Sequence, residues 1–266
     1  MASYESLGDV KEKGTVFALR SAYAFLLATA LFCTATTLFY IKAGSTSGTY
    51  IAALSAIINA IAAWHYNEII KVRLGEAITK GSEWKIDALR HGDWVVTMPL
   101  LVLKLHALVG SGSDHDTLLN TVDLAAFIAA LMIALGAFAR LGFEEMVGFW
   151  KEENDKYKMD GFEKVVGSVL YLGSIACLVI LLIDLFNLFS DLETPTIVYA
   201  FFLVWPAYAV VALLACLIRQ FTDPTEYPRF VALAKDVSFA ALDVFSKAVF
   251  GWHTCSAAFG YHILGS

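Results

Sequence analysis

Apolar residues in this chain come in long blocks rather than in the alternating or striped patterns of a soluble fold. Seven blocks stand out, at about 15–42, 48–70, 90–109, 121–141, 164–190, 196–218 and 231–260. Each is long enough for the ~20 apolar residues that an α-helix needs to cross a bilayer. Polar punctuation separates them: "KAGSTSG" after the first, "GSGSDHD" after the third, "SDLETP" before the sixth and "FTDPTEYP" before the seventh. Two longer links, "KVRLGEAITKGSEWKID" and "GFEEMVGFWKEENDKYKMDG", are charged. The pattern predicts an all-α membrane protein, a bundle of seven transmembrane helices. A polar N-terminal segment at 1–14 precedes one domain at 15–262, and no Pro- or Ser-rich linker marks a second.

Composition agrees. Of the 266 residues, 58% are hydrophobic, against roughly 45–50% in soluble proteins. The net charge of −6 comes with no basic stretch suited to nucleic acid. Cys33, Cys177, Cys216 and Cys255 lie inside apolar runs, with neither metal spacing nor a disulfide framework, and read as small core residues. The first fifteen residues lack an apolar core, so no cleavable signal peptide is visible.

Ionisable side chains at membrane depth are costly and face the interior, so each is a candidate functional group. The third block carries Arg90, Asp93 and Lys104, the seventh Asp243 and Lys247, and the second His65. Asp243 and Lys247 are four apart and share a helix face. They suit either an internal ion pair or an attachment lysine, whose amine forms a Schiff base with an aldehyde ligand. A protonated Schiff base needs a carboxylate counter-ion, and Asp93 and Asp243 are both available. Asp93 and Thr97 are also four apart, placing a hydroxyl beside the acid or its surroundings, while Arg90 favours the charged form of Asp93. Lys104 lies eleven residues on, about 16 Å along a helix. Burial lowers the proton affinity of an amine, which suits proton exchange. Snorkelling to the interface is the alternative for Lys104.

"RHGDWVVTMPLL" at 90–101, with "LDVFSKAVFG" at 242–251, resembles the microbial (type 1) rhodopsins. "WHY" at 64–66 narrows the likeness to proteorhodopsin-like proton pumps, and "VWPAY" at 204–208 matches the region that packs on the chromophore. The resemblance implies all-trans-retinal as a covalent Schiff base on Lys247, in a pocket that the seven helices enclose. It implies a counter-ion complex of Asp93 and Asp243 beside Arg90, with Trp94 and Trp205 sandwiching the polyene. Tyr66 and Tyr208 hydrogen-bond near Asp243, and Thr97 supports Asp93. Asp93 accepts the proton, coupled to His65 as a titrating pair, so absorption should move with pH. Lys104 stands at the donor position, where a minority of these pumps have lysine. Leucine at the colour-tuning position, here Leu101, goes with green absorption.

The expected protein is a light-driven ion transporter, not an enzyme. It is a multi-pass integral protein of a plasma membrane or an internal eukaryotic membrane, with lipid, retinal and protons as partners, no metal, and a homo-oligomeric state. Three positions depart from the family pattern: Ala212 replaces an aromatic near the retinal ring, Pro206 displaces the helix proline, and Lys104 replaces a carboxylate. The first and third leave room for a retinal photosensor that signals through a partner. Lys235 stands where a release glutamate is known in bacteriorhodopsin, which leaves Glu226 as the release candidate. The family orientation places the N-terminus outside. That side also carries Lys11, Lys13, Lys71, Arg73, Lys80, Lys85, Arg140, Lys151, Lys156, Lys158, Lys164, Arg219 and Arg229, against Lys42 opposite. The positive-inside rule favours the reverse, which would turn outward pumping into inward transport.

Overall fold

The computed structural model describes residues 2–75, 80–109, 115–139, 161–190, 196–221 and 229–256. Among these the regular structure is helical throughout: α1 (Ala2–Ala43), α2 (Thr46–Gly75), α3 (Lys80–Val109), α4 (His115–Ala137), α5 (Gly161–Ser190), α6 (Thr196–Phe221) and α7 (Arg229–Asp243). A π-helical segment, Val244–Val249, carries α7 on into α8 (Phe250–Ser256), so that the last three elements form one seventh rod. The fold is thus an all-α, seven-helix one.

The helices outrun the apolar blocks. α1 reaches back through the polar segment to Ala2, α2 runs on to Gly75, and α3 starts at Lys80, ten residues before its apolar block. The reason is chemical: Lys, Arg, Glu, Leu and Ala in these stretches are good helix formers. Hydropathy marks where a helix meets water, not where its hydrogen bonds stop. α4 likewise begins at His115 rather than near 121. Its expected end at 140–141, and that of the seventh block at 257–260, lie outside the described residues, as do the Glu226 release candidate and Arg140.

Two compact units divide the chain: Met1–Ser82 with Thr194–Ser266, and Glu83–Glu193. In the first, α1 packs along α2 and against α7, and α6 packs on α7. The α1–α2 connection is short because α1 ends in a Schellman turn. Gly44 takes φ +73°, the Ser45 N–H donates to the Tyr40 carbonyl at 3.0 Å, and the Gly44 N–H donates to that of Ile41 at 3.1 Å. Ser45 then caps α2 through its hydroxyl, which accepts from the Gly48 N–H at 3.3 Å. Further along, Cys33 and Cys255 are buried free thiols. The Cys255 thiol donates to the Cys33 sulfur at 3.2 Å, and that of Cys33 to the Gly251 carbonyl at 3.8 Å. Both are core residues, as is Cys177.

In the second unit, α4 packs on α5 through small residues. A Cβ at Gly136 would sit 3.3 Å from the Ser174 hydroxyl, which donates to the Met132 carbonyl at 2.8 Å. Such contacts suit helices that associate in lipid. Phe17, Phe25, Leu31, Leu172, Phe186 and Leu203 are all more than 60% exposed, far beyond the apolar patches that a water-soluble surface tolerates. Lys13–Ala43, Thr46–Gly75 and Val165–Asn187 are long and apolar enough to cross a membrane, and Leu124–Ala137 and Leu203–Ala215 are shorter apolar stretches. α3 and the seventh rod carry too many ionisable side chains to be read as spans from composition, and Asp87, Arg90, Asp93, Lys104, Asp243 and Lys247 among them are buried.

Candidate functional site

In the first unit, the seventh rod presents a buried polar face to α2. Asp243 ends the regular helix and Lys247 lies inside the π segment. The Lys247 Nζ stands 3.1 Å from Asp243 Oδ1, and both side chains are sealed from solvent. Two tyrosines fix that carboxylate: Tyr66 from α2 donates to Oδ2 at 2.8 Å and Tyr208 from α6 to Oδ1 at 2.8 Å. The Tyr208 hydroxyl also meets Ser246 Oγ at 2.9 Å. Two phenol donors and an amine hold that carboxylate in one orientation. Trp205, one turn before Tyr208 on α6, is buried as well.

The π turn around Lys247 opens the regular helix ladder, and Asn59 of α2 bonds to it. The buried Asn59 amide donates to the Lys247 carbonyl at 3.2 Å and to the Ser55 carbonyl at 2.8 Å. Gly251 makes room for it: a Cβ there would lie 2.8 Å from Asn59 Nδ2. Seven residues beyond Tyr66, Arg73 Nε meets Asp236 Oδ2 at 2.6 Å, with both side chains buried. Asp236 is itself seven residues before Asp243. Asn59, Tyr66 and Arg73 are therefore three rungs at heptad spacing, each bonded to the seventh rod. Arg73, counted with the link cations in the sequence reading, lies in the last turn of α2. His65 is buried, its Nδ1 3.0 Å from the Ile61 carbonyl and its ring edge-on to Trp64.

In the second unit, α3 carries Arg90, Trp94, Thr97, Leu101 and Lys104 at alternating steps of four and three, one stripe of a helix. All are buried, as is Asp93. The Thr97 hydroxyl donates to the backbone carbonyl of Asp93 at 3.0 Å, so it steadies the turn that carries the acid. Arg90 lies 3.7 Å from Asp87, a buried carboxylate one turn earlier. Lys104 is 1% exposed, which is burial and not snorkelling. Near the end of α3, His106 Nε2 stands 3.5 Å from Asp184 Oδ2 on α5.

A family described as bacteriorhodopsin-like protein matches residues 19–260. The chain belongs to that family, the microbial rhodopsins. Solved structures agree on the fold of this rhodopsin. Xanthorhodopsin, described as a light-driven ion pump with dual chromophore, is 21% identical with a TM-score of 0.60, over 92% of this chain and 94% of that one. The viral rhodopsin OLPVRII is 19% identical with a TM-score of 0.64, over 92% and 98%. The rhodopsin of Exiguobacterium sibiricum is 14% identical with a TM-score of 0.58, over 91% and 96%. No curated protein matches. Members of the family are integral membrane proteins that bind retinal, and as a class they transport ions or sense light rather than act as enzymes.

The residues of this rhodopsin fit a retinal aldehyde. Lys247 offers a buried amine for covalent attachment, and Asp243, whose Oδ1 lies 3.1 Å from that amine, would be the carboxylate counter-ion of a protonated linkage. The sequence reading found the seventh-rod cluster and the α3 stripe. It missed Asn59, Asp87, Asp236 with Arg73, and His106 with Asp184. The rule that flagged Asp93 applies equally to Asp184, a lone acid in "LLIDLFN". Asn59 gives no such signal, because a neutral amide in an apolar run reads as packing. Among the described residues no group of His, Cys, Asp and Glu is placed to hold a metal.

Proposed function

We propose that this rhodopsin is a light-driven proton pump of the proteorhodopsin-like branch, moving protons outward in the family orientation. The carrying observation is the buried stripe of α3, which places Asp93 and Lys104 about 16 Å apart along one helix. A sensor needs the chromophore pocket. A pump also needs titratable groups on both sides of it, and a buried lysine beyond the acid is costly without such a task.

All-trans-retinal, bound covalently to Lys247, supplies light absorption and a movable proton. Lys247 would anchor it, and Asp243, held by Tyr66 and Tyr208, would serve as the second counter-ion. Asp93 is the first counter-ion and takes the proton, with Arg90 favouring its charged form and Thr97 fixing its turn. His65 is the partner that couples to Asp93. Trp94 and Trp205 flank the polyene, and Leu101 sets green absorption. Lys104 takes a proton from the opposite side and resupplies the linkage. The protein acts as a homo-oligomer, in a plasma membrane or an internal eukaryotic membrane.

The deciding experiment illuminates cells that express the chain with added retinal and follows external pH. Acidification that a protonophore abolishes is the expected result, and Lys247→Ala should remove both colour and signal. Alkalinisation would mean inward transport. A coloured protein with no pH change would replace the pump by a photosensor, the reading favoured by Ala212 near the ring and by the absence of a carboxylate at Lys104.

A further inference from the structure

Resupplying Lys104 requires a route from water to a side chain that is 1% exposed. Among its described side chains, the second unit holds a further pair of titratable groups in contact on that side. His106 lies two residues past Lys104, about 3 Å farther along the axis of α3. Its ring is 2% exposed and stands 3.5 Å from Asp184, whose side chain is 40% exposed. α3 and α5 both end shortly beyond the pair, at Val109 and Ser190. An acid on an otherwise apolar helix is expensive in lipid unless it serves a task. The contact is too long for a strong hydrogen bond, so the pair is poorly explained as a structural clamp. α4, which packs on α5, carries His115, Asp116 and Asp123 in its first three turns and no ionisable side chain from 124 to 137, and Asp184 is the only acid in α5 between 165 and 187. On α3, Asp93 and Arg90 lie more than three turns back.

We propose that Asp184 and His106 form the proton-intake station that recharges Lys104, an inference that rests on Lys104 as donor. The Asp184 carboxylate takes a proton from solvent and passes it to the His106 imidazole. The imidazolium passes one proton on to the neutral Lys104 amine. Carboxylate and neutral imidazole are restored, and one proton has moved from water to Lys104. Residues two apart leave a helix on different sides, so the last transfer uses the long Lys104 stem and a bridging water. Histidine suits the middle position because an imidazole's ordinary proton affinity lies between those of a carboxylate and an amine.

The test uses the full chain with retinal in lipid nanodiscs, under flash excitation at mildly alkaline pH. Visible absorption follows reprotonation of the linkage, and a water-soluble pH dye follows proton uptake. Lys104→Ala should slow reprotonation. Asp184→Asn and His106→Asn should each slow uptake by about tenfold, Asp184→Glu should restore it, and imidazole added to the buffer should rescue both slow variants. Normal colour in each variant establishes its folding, with His106→Gln as the second choice at that position. If Lys104→Ala slows reprotonation while both pair variants take up protons at the native rate, the intake station is overturned and the donor stands. Slow uptake that imidazole fails to rescue also overturns it, since a packing defect would behave that way. If Lys104→Ala leaves reprotonation unchanged, the donor reading fails and the station falls with it.

Discussion

Asn59 and Gly251 are complementary at the scale of single atoms. The amide occupies the space that a side chain at Gly251 would need, and its bond to the Lys247 carbonyl depends on that space. Gly251→Ala should therefore destabilise the protein by about 1–3 kcal/mol through overpacking against buried atoms. Asn59→Ala should cost a similar ~1–3 kcal/mol, by leaving a buried carbonyl short of a donor. The two losses should not add, because the second substitution removes the atoms that the first one strikes. Thermal loss of the visible band, compared across both single variants and the double, measures the coupling. Additive losses would mean that the two residues do not share one contact.

At the scale of elements, the face between α2 and the seventh rod combines a strong pair with a functional cluster. Arg73 and Asp236 are both buried, and a buried ion pair is weak evidence for stability but a large liability when broken. Arg73→Met alone should lower stability by about 3–5 kcal/mol, since it removes a 2.6 Å ionic hydrogen bond from the buried Asp236 carboxylate. Arg73→Met with Asp236→Leu should recover most of that loss. Denaturant titration of the dark protein, read through the visible band, distinguishes the two. A single variant as stable as the native chain would show that the Arg73 bond contributes little to holding α2 on the seventh rod. The rungs also show why the sequence read well at one end of this face and poorly at the other. Tyr66 and Asp243 belong to quoted motifs, whereas Arg73 and Asp236 pair 163 positions apart, where no local spacing signals a contact. Helix ends were equally hidden, because propensity continues past the point where hydropathy falls.

For the whole molecule, seven apolar blocks made the fold legible, since lipid forces each crossing segment to satisfy its own backbone. The chemistry was legible wherever a charge interrupted a block and was weighed as a site, as at Asp93, Asp243 and Lys247. Direction is a global property, and here two global signals oppose each other. An accessible tag at the N-terminus on intact cells should be labelled by an impermeant reagent, as the family orientation requires. Labelling only after permeabilisation would reverse the direction of transport.

The two buried thiols carry a consequence of another kind. Cys255 donates to Cys33, and Cys33 in turn to the carbonyl of Gly251, four residues past Lys247. Thiol S–H vibrations absorb in an infrared window that other protein groups leave clear. The chain thus contains its own strain gauge one helical turn from the attachment point, where any light-driven pull on the seventh rod would register as a displaced band without a label being added.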